Sequence, residues 1–333
     1  MTDDDPLPGP WSEHDFLAGL CRRLTPTSPD PALEVPPGDD AAVLAFGDAR
    51  LVATTDALVE GVHFRNGWLT PAELGRRAAI ANLSDLAAMG ASPVALLLAL
   101  VVPAGFAEQE VEELAMAVSD AGRAVGARLV GGNLSRGPSL AITITALGRL
   151  SGPALRRSGA GIDDLLVVTG TLGDAAAAVA AWEAGHDPIP PLRERFAQPR
   201  ARLAAGEVLA SAGATSGIDI SDGLLADLGH LCRASGVGAS IQREALPRSP
   251  QVEILDAAGR DFAASGGEDY ELLVTVPRSL DTELAKLAGA CGTSLSVIGH
   301  TTDPTHGIVL YDKHGAPHAP ARDGFDHFRG DAN

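Results

Sequence analysis

Residues 216–232 read Ser216-Gly217-Ile218-Asp219-Ile220-Ser221-Asp222-Gly223-Leu224-Leu225-Ala226-Asp227-Leu228-Gly229-His230-Leu231-Cys232. The apolar run Ser216–Ile220 predicts a short strand that Asp219 closes. Leu224, Leu225, Leu228, Leu231 and Cys232 recur at helical spacing and predict an amphipathic helix after the turn. The same order of strand, polar turn and helix extends in both directions. Upstream, Leu165–Thr169 reads as a strand, Gly170-Thr171-Leu172-Gly173 as a turn and Asp174–Ala184 as a helix. Residues 185–199, with four prolines, read as a long loop before a helix over Arg200–Ser211. Downstream come strands at Tyr270–Val276, Ser294–Ile298 and Ile308–Tyr311, with a helix at Leu280–Ala290.

The first half follows the same pattern. A helix is expected over Glu13–Leu24, a loop over Pro26–Pro37, and paired strands over Ala41–Phe46 and Leu51–Thr55, the second running out at Asp56. Thr70-Pro71-Ala72-Glu73 carries the chemistry of a helix start: a capping threonine, a first-turn proline and a glutamate that closes the capping box. That helix runs to Met89 with Gly90 as its stop. Strands at Val94–Val102 and Leu140–Leu147 flank an amphipathic helix and the segment Arg128–Val130 that leads into Gly131-Gly132-Asn133. Alternation in both halves predicts layered α/β (α+β) domains. At about 100–200 residues per domain the length fits two. We divide the chain into an acidic tail (1–11), an N-terminal domain (12–149) and a C-terminal domain (150–333).

Of the 333 residues, 43 are acidic and 25 basic, for a formal net charge of −18. Such a balance argues against a broad basic surface for nucleic acid or anionic membrane. The longest apolar run, Val94–Val102, is about half of a membrane span. All basic residues but Lys286 and Lys313 are arginines, and neither lysine follows a glycine loop of the G-x-x-x-x-G-K-[ST] kind. Phosphate chemistry here must therefore rest on arginine, backbone N–H groups or metal ions. Cys21, Cys232 and Cys291 have no metal-ligand spacing, and no secretory signal opens the chain, which predicts a cytoplasmic protein.

The aspartates fall at strand ends and turns: Asp39 and Asp40 before a strand, Asp56 after one, Asp219 and Asp222 around another. Loops there are where layered domains place ligands. Carboxylates gathered in one place repel unless a cation separates them, and Mg²⁺ takes carboxylate oxygens while leaving positions for phosphate. Asp85 is the sharpest case, because the helix around it is apolar on every side and is expected to be buried. A charge there needs a metal or a salt bridge to an arginine. Plainer alternatives stand beside the others: Asp222 as a helix cap, Asp39 and Asp40 as turn formers, Gly170 to Gly173 as a simple turn, His63 as a structural side chain, and residues 266–269 as a loop.

Taken in order, these segments resemble one family. They are Gly38-Asp39-Asp40-Ala41-Ala42, Thr54-Thr55-Asp56 with Glu60-Gly61-Val62-His63-Phe64, Asn82-Leu83-Ser84-Asp85-Leu86-Ala87-Ala88-Met89-Gly90, Arg157-Ser158-Gly159, Ile218-Asp219-Ile220-Ser221-Asp222-Gly223, Ser265-Gly266-Gly267-Glu268-Asp269-Tyr270-Glu271 and Gly324-Phe325-Asp326-His327-Phe328. The family is that of the thiamine-monophosphate kinases, within the aminoimidazole ribonucleotide synthetase superfamily. The resemblance implies a two-domain fold that dimerises through N-terminal strands. It also implies direct in-line transfer of the γ-phosphoryl group of ATP to thiamine monophosphate, with several Mg²⁺ ions and no phosphoenzyme or general base. By motif position it implies Asp40, Thr54, Thr55, Asp56, Asp85, Asp219 and Asp222 as metal ligands, Gly132, Arg157 and Ser221 as ATP contacts, and His63 and Glu268 as contacts to the thiamine portion.

Two departures from the family pattern stand out. Asn133 replaces the usual aspartate of Gly-Gly-Asp, which keeps one carbonyl oxygen for a metal but loses a charge. Arg322 stands where an aromatic is usual, leaving Phe325 as the replacement that stacks on substrate. Two other functions compete: another ATP-dependent synthetase of the superfamily, and a catalytically weakened binding dimer. A selenophosphate synthetase is disfavoured, since no lysine precedes Lys286.

Overall fold

The computed structural model describes residues 13–24 and 30–319. The acidic tail, Arg322 and Phe325 lie outside the described residues. The N-terminal half contains α1 (Glu13–Leu24), β1 (Leu33–Val35), β2 (Ala42–Phe46), β3 (Ala49–Val59), α2 (Pro71–Ala88), β4 (Ser92–Val102), α3 (Glu108–Ala124), β5 (Arg128–Arg136) and β6 (Ala141–Arg149). The C-terminal half contains β7 (Leu165–Thr169), α4 (Asp174–Glu183), α5 (Pro190–Ala197), α6 (Leu203–Ala212), β8 (Ser216–Ile220), α7 (Leu224–Ser235), β9 (Gly238–Gln242), α8 (Pro250–Ala257), α9 (Phe262–Ser265), β10 (Glu271–Val276), α10 (Leu284–Cys291), β11 (Leu295–Thr302), β12 (Ile308–Tyr311) and β13 (Pro317–His318). No described helix is long and apolar enough to cross a membrane.

Each half builds one sheet. The first has strand order β1-β2-β3-β6-β4-β5, the second β13-β12-β9-β11-β7-β10-β8. Among the described strands only β4–β5 and β9–β12 pair in parallel, so the α+β form of the expected layering is the one realised.

Four expectations are corrected. The loop expected over Pro26–Pro37 holds strand β1, which pairs antiparallel with β2. Residues 185–199 are not one long loop, because α5 starts at Pro190; both prolines sit in its first turn, where a missing N–H removes no helical bond. Strand β3 does not run out at Asp56 but stays paired to β6 as far as Val59, so Asp56 is inside the strand. Gly131-Gly132-Asn133 is likewise part of β5, in register with Leu97-Leu98-Ala99 of β4. A Cβ on Gly132 would stand 1.7 Å from the Leu98 carbonyl oxygen, so glycine permits this pairing.

Helix α2 joins the halves. Thr70 and Glu73 form the predicted capping box, with the Glu73 N–H donating to Thr70 Oγ1 and the Thr70 N–H to Glu73 Oε2. The helix packs on α3, β3 and β6 of its own half and on α5, α6, β8 and β10 of the other. It is therefore buried nearly all round, as its composition required. At the crossing with α6, a Cβ on Gly206 would lie 1.9 Å from the Ala87 carbonyl oxygen. Gly206→Ala is thus expected to destabilise the protein by about 1–3 kcal/mol through overpacking, despite the higher helix propensity of alanine. Thermal denaturation checks this; an unchanged or raised melting temperature would show that the helices separate freely.

Candidate active site

Three aspartates from three elements converge beside α2. Asp40 precedes β2, Asp85 lies on α2 and Asp219 is near the end of β8. Each offers a carboxylate oxygen within 4.8 Å of the others. Thr54 Oγ1 donates to Asp85 Oδ2 at 2.7 Å, and Ser84 Oγ donates to Asp219 Oδ2 at 2.7 Å. Segments 82–85 and 219–222 thus meet across the two halves. Among the described residues no arginine forms a salt bridge to Asp85. The arginine goes to Asp40 instead, whose Oδ1 accepts from Arg157 Nη2 at 2.6 Å and from Nε at 3.3 Å.

Burial shifts all three acids upward. Burial first, then Asp219 and Asp40, pushes Asp85 well above the carboxylate range. Burial and the neighbouring Asp40 bring Asp219 to about 8. Asp40 is also raised by burial, with Arg157 opposing. Asp40 Oδ2 is buried without a hydrogen-bond partner among the described residues. Close, dehydrated oxygens with one orphaned acceptor are the donor set of a hard divalent cation.

The pleat decides which β3 side chains join them. Thr54 and Asp56, two residues apart, share the face toward Asp85, and the Asp56 charge adds to the upward shift of that carboxyl. Thr55 points to the other face, where its hydroxyl donates to the Ile144 carbonyl oxygen and meets Thr145 Oγ1. Asn133 is farther still. It stands opposite Ala99 of β4, which faces Thr143 of β6, which faces Ala57 of β3. Three strand spacings amount to about 14 Å. Its Nδ2 donates to Ser135 Oγ on the exposed β5. A single chain thus does not gather Thr55 or Asn133 with the aspartates.

The turn after β8 is held by a residue that the motif reading missed. Asp227 Oδ2 accepts the N–H groups of Ser221, Asp222 and Gly223 at 3.1, 3.2 and 3.1 Å. The helix cap offered for Asp222 falls instead to Gly223, and Asp222 groups with Asp227 and His230. A carboxylate in the first turn of α7 was the available signal for Asp227. Arg157 is fixed along its backbone: its N–H donates to Asp39 Oδ1 at 2.9 Å and its carbonyl accepts from Ser235 Oγ at 2.8 Å. Asp39 acts on Arg157 in this way and is no member of the carboxylate triad.

Gly170 to Gly173 behaves as a turn. The Gly173 N–H is taken by both Asp269 oxygens, which occupy the N-terminus of α4 from within the chain. His63 Nδ1 accepts the Val59 N–H at 3.0 Å, an assigned tautomer, just beyond β3. Glu268 sits on the turn before β10, with its N–H donating to the Ser221 carbonyl at 2.7 Å. That bond seats Glu268 beside the strand end that carries Asp219. Arg77 of α2 donates to Glu268 Oε2 and to the Phe196 carbonyl oxygen, and it was not singled out by any motif.

Two layered halves clasping a buried carboxylate cluster define the class. Residues 38–150 match the AIR synthase related protein, N-terminal domain, and residues 161–312 match the C-terminal domain of the same class. The chain is 38% identical over 325 residues to the thiamine-monophosphate kinase of Escherichia coli (strain K12), spanning 95% of this chain and 98% of that one. It superposes on AaThiL complexed with AMPPCP and TMP with a TM-score of 0.80 at 28% identity, covering 95% and 97% of the two chains. The thiamine-monophosphate kinase of Stenotrophomonas maltophilia K279a follows the same course, with a TM-score of 0.73, 36% identity and coverage of 90% and 96%. The chain belongs to the thiamine-monophosphate kinase family.

Proposed function

We propose that the protein transfers the γ-phosphoryl group of ATP to thiamine monophosphate, giving thiamine diphosphate and ADP. The observation that carries this reading is the convergence of Asp40, Asp85 and Asp219 from both halves, with a buried oxygen left unpartnered. The solved relative complexed with AMPPCP and TMP supports the two substrates.

Asp40, Asp85 and Asp219, with Thr54, Asp56 and Asp222, are the residues that would hold Mg²⁺. Thr55 and Asn133 would add metal ligands, and Gly132 an ATP contact, from the exposed side of the N-terminal sheet. Mg²⁺ bound there would neutralise charge shared between the nucleotide and the acceptor phosphate. The protein need not supply a general base, because a phosphate monoester is already ionised near neutral pH. The side chains align and screen the reactants: Arg157 reaches phosphate oxygens from its seat beside Asp40, Ser221 meets ATP, and His63, Glu268 and Phe325 address the thiamine portion. Residues 12–149 then form the metal and nucleotide half, completed by residues 150–333.

A homodimer suits the N-terminal sheet. Its edge strand β5 and the adjoining β4 expose Val94, Leu97, Val130 and Leu134. Three sparse cysteines with no disulfide among the described residues suit the cytoplasm.

Purified protein incubated with ATP, Mg²⁺ and thiamine monophosphate should form thiamine diphosphate; no product at any Mg²⁺ concentration would sink the assignment. Asn133→Asp restores a negative ligand and should lower the Mg²⁺ concentration for half-maximal rate. A superimposable Mg²⁺ titration would remove Asn133 from the ligand set.

A further inference from the structure

We propose that Arg77 and Tyr270 are positioning residues that clamp one oxygen of Glu268, so that its other oxygen is presented to the cationic ring of the substrate. This deepens the functional reading and rests on Glu268 as a contact to the thiamine portion. Arg77 Nη2 and Tyr270 OH both donate to Glu268 Oε2, the latter at 2.7 Å. Among the described residues no hydrogen bond takes Oε1, which is left to a ligand. The two ends of the bridge differ in exposure: the Arg77 side chain is fully buried, whereas that of Glu268 is 24% exposed.

The arginine cannot follow a moving carboxylate. Its guanidinium donates to the Phe196 carbonyl oxygen and lies over the Phe196 ring, 3.7 Å from the centroid. Its Nε is buried and without a partner among the described residues. An apolar side chain of similar volume would serve packing as well or better, because a buried ion pair adds little net stability. The charge is explained by what it holds.

The Glu268 backbone is constrained to match. Glu268 and Tyr270 both adopt left-handed conformations, with φ of 72° and 53°. Such non-glycine residues cost about 1–3 kcal/mol each and persist where the surroundings fix them. Here the Glu268 N–H bonds to Ser221, the Tyr270 N–H to Ile220, and the Asp269 carboxylate to Gly173. The backbone is pinned on three sides, and only the Glu268 side-chain torsions remain for Arg77 and Tyr270 to set. Because Arg77 comes from α2, the N-terminal half aims a carboxylate of the C-terminal half.

Steady-state kinetics of the full-length enzyme with varied thiamine monophosphate and varied ATP tests the clamp. Arg77→Met should raise KM for thiamine monophosphate at least about 10-fold and leave KM for ATP unchanged, the signature of lost binding to one substrate. Tyr270→Phe should move the same constant by a few-fold in the same direction, and it removes a single oxygen should Arg77→Met fail to fold. Arg77→Lys should recover part of the loss. In a Glu268→Gln background either change should add little. Equal rises in both KM values, or effects additive with Glu268→Gln, would overturn the clamp. Glu268→Gln with an unaltered KM for thiamine monophosphate would instead remove Glu268 as a substrate contact, and the clamp with it.

Discussion

Asp219→Asn and Asp85→Asn each slow thiamine diphosphate formation while making the metal-free protein more stable at pH 8. The catalytic loss should be at least about 100-fold, since even the groups that merely orient metal ligands are worth about 10–100-fold. The stability gain follows from the upward shifts. Asp219 moves from about 3.8 in an open chain to about 8 in the fold, first through burial and then through Asp40. Between those values the folded chain binds more protons than the unfolded one, so the Asp219 contribution is favourable below about pH 3.8 and is lost as the pH rises to about 8. Asparagine does not titrate and escapes that loss. Melting curves in EDTA should therefore show the variant gaining on wild type as pH rises from 5 to 8, with Mg²⁺ restoring wild type more than the variant. A variant less stable than wild type at pH 8 in EDTA would mean that the triad is not a repulsive cluster. Active sites that trade stability for function behave in this way.

The cluster was legible because its members contradict their surroundings. Asp85 is a carboxylate in a helix of apolar residues, and Asp219 ends a strand just where the alternation of elements called for a turn. The strands β7, β8 and β12 follow their predicted limits, each being a short run between turn-forming residues. Arg77 was not legible. It adjoins Arg76 on a helix buried nearly all round, so periodicity gives no sign that Arg76 is exposed and Arg77 enclosed. Thr55 shows the limit within a strand: adjacent residues of one motif point to opposite faces, and a motif does not record the pleat. Ser84 acts on Asp219, a residue distant in sequence, and such a role has no signature until the chain is folded.

The second large effect lies in the C-terminal half, at Glu271. It is fully buried at the start of β10, immediately after the turn that carries Glu268. Its Oε1 accepts from Arg195 Nη2 at 2.9 Å and Arg202 Nη2 at 2.6 Å, and its Oε2 from Arg202 Nε at 2.6 Å and Thr169 Oγ1 at 2.7 Å. One carboxylate thus ties α5, the entry to α6 and β7 to β10. Glu271→Met preserves most of the volume but leaves two largely buried guanidinium groups, 24% and 13% exposed, without the carboxylate that pairs them. Removing one partner of a buried ion pair costs about 3–5 kcal/mol, far more than the net worth of the intact pair, because the remaining charge stays desolvated. Urea unfolding of Glu271→Met should show a loss of that size. Adding Arg195→Met and Arg202→Met should recover much of it, since the uncompensated charges are then gone. A loss under about 1 kcal/mol, or no recovery in the triple variant, would mean that the arginines find water or other partners and that Glu271 is not their anchor.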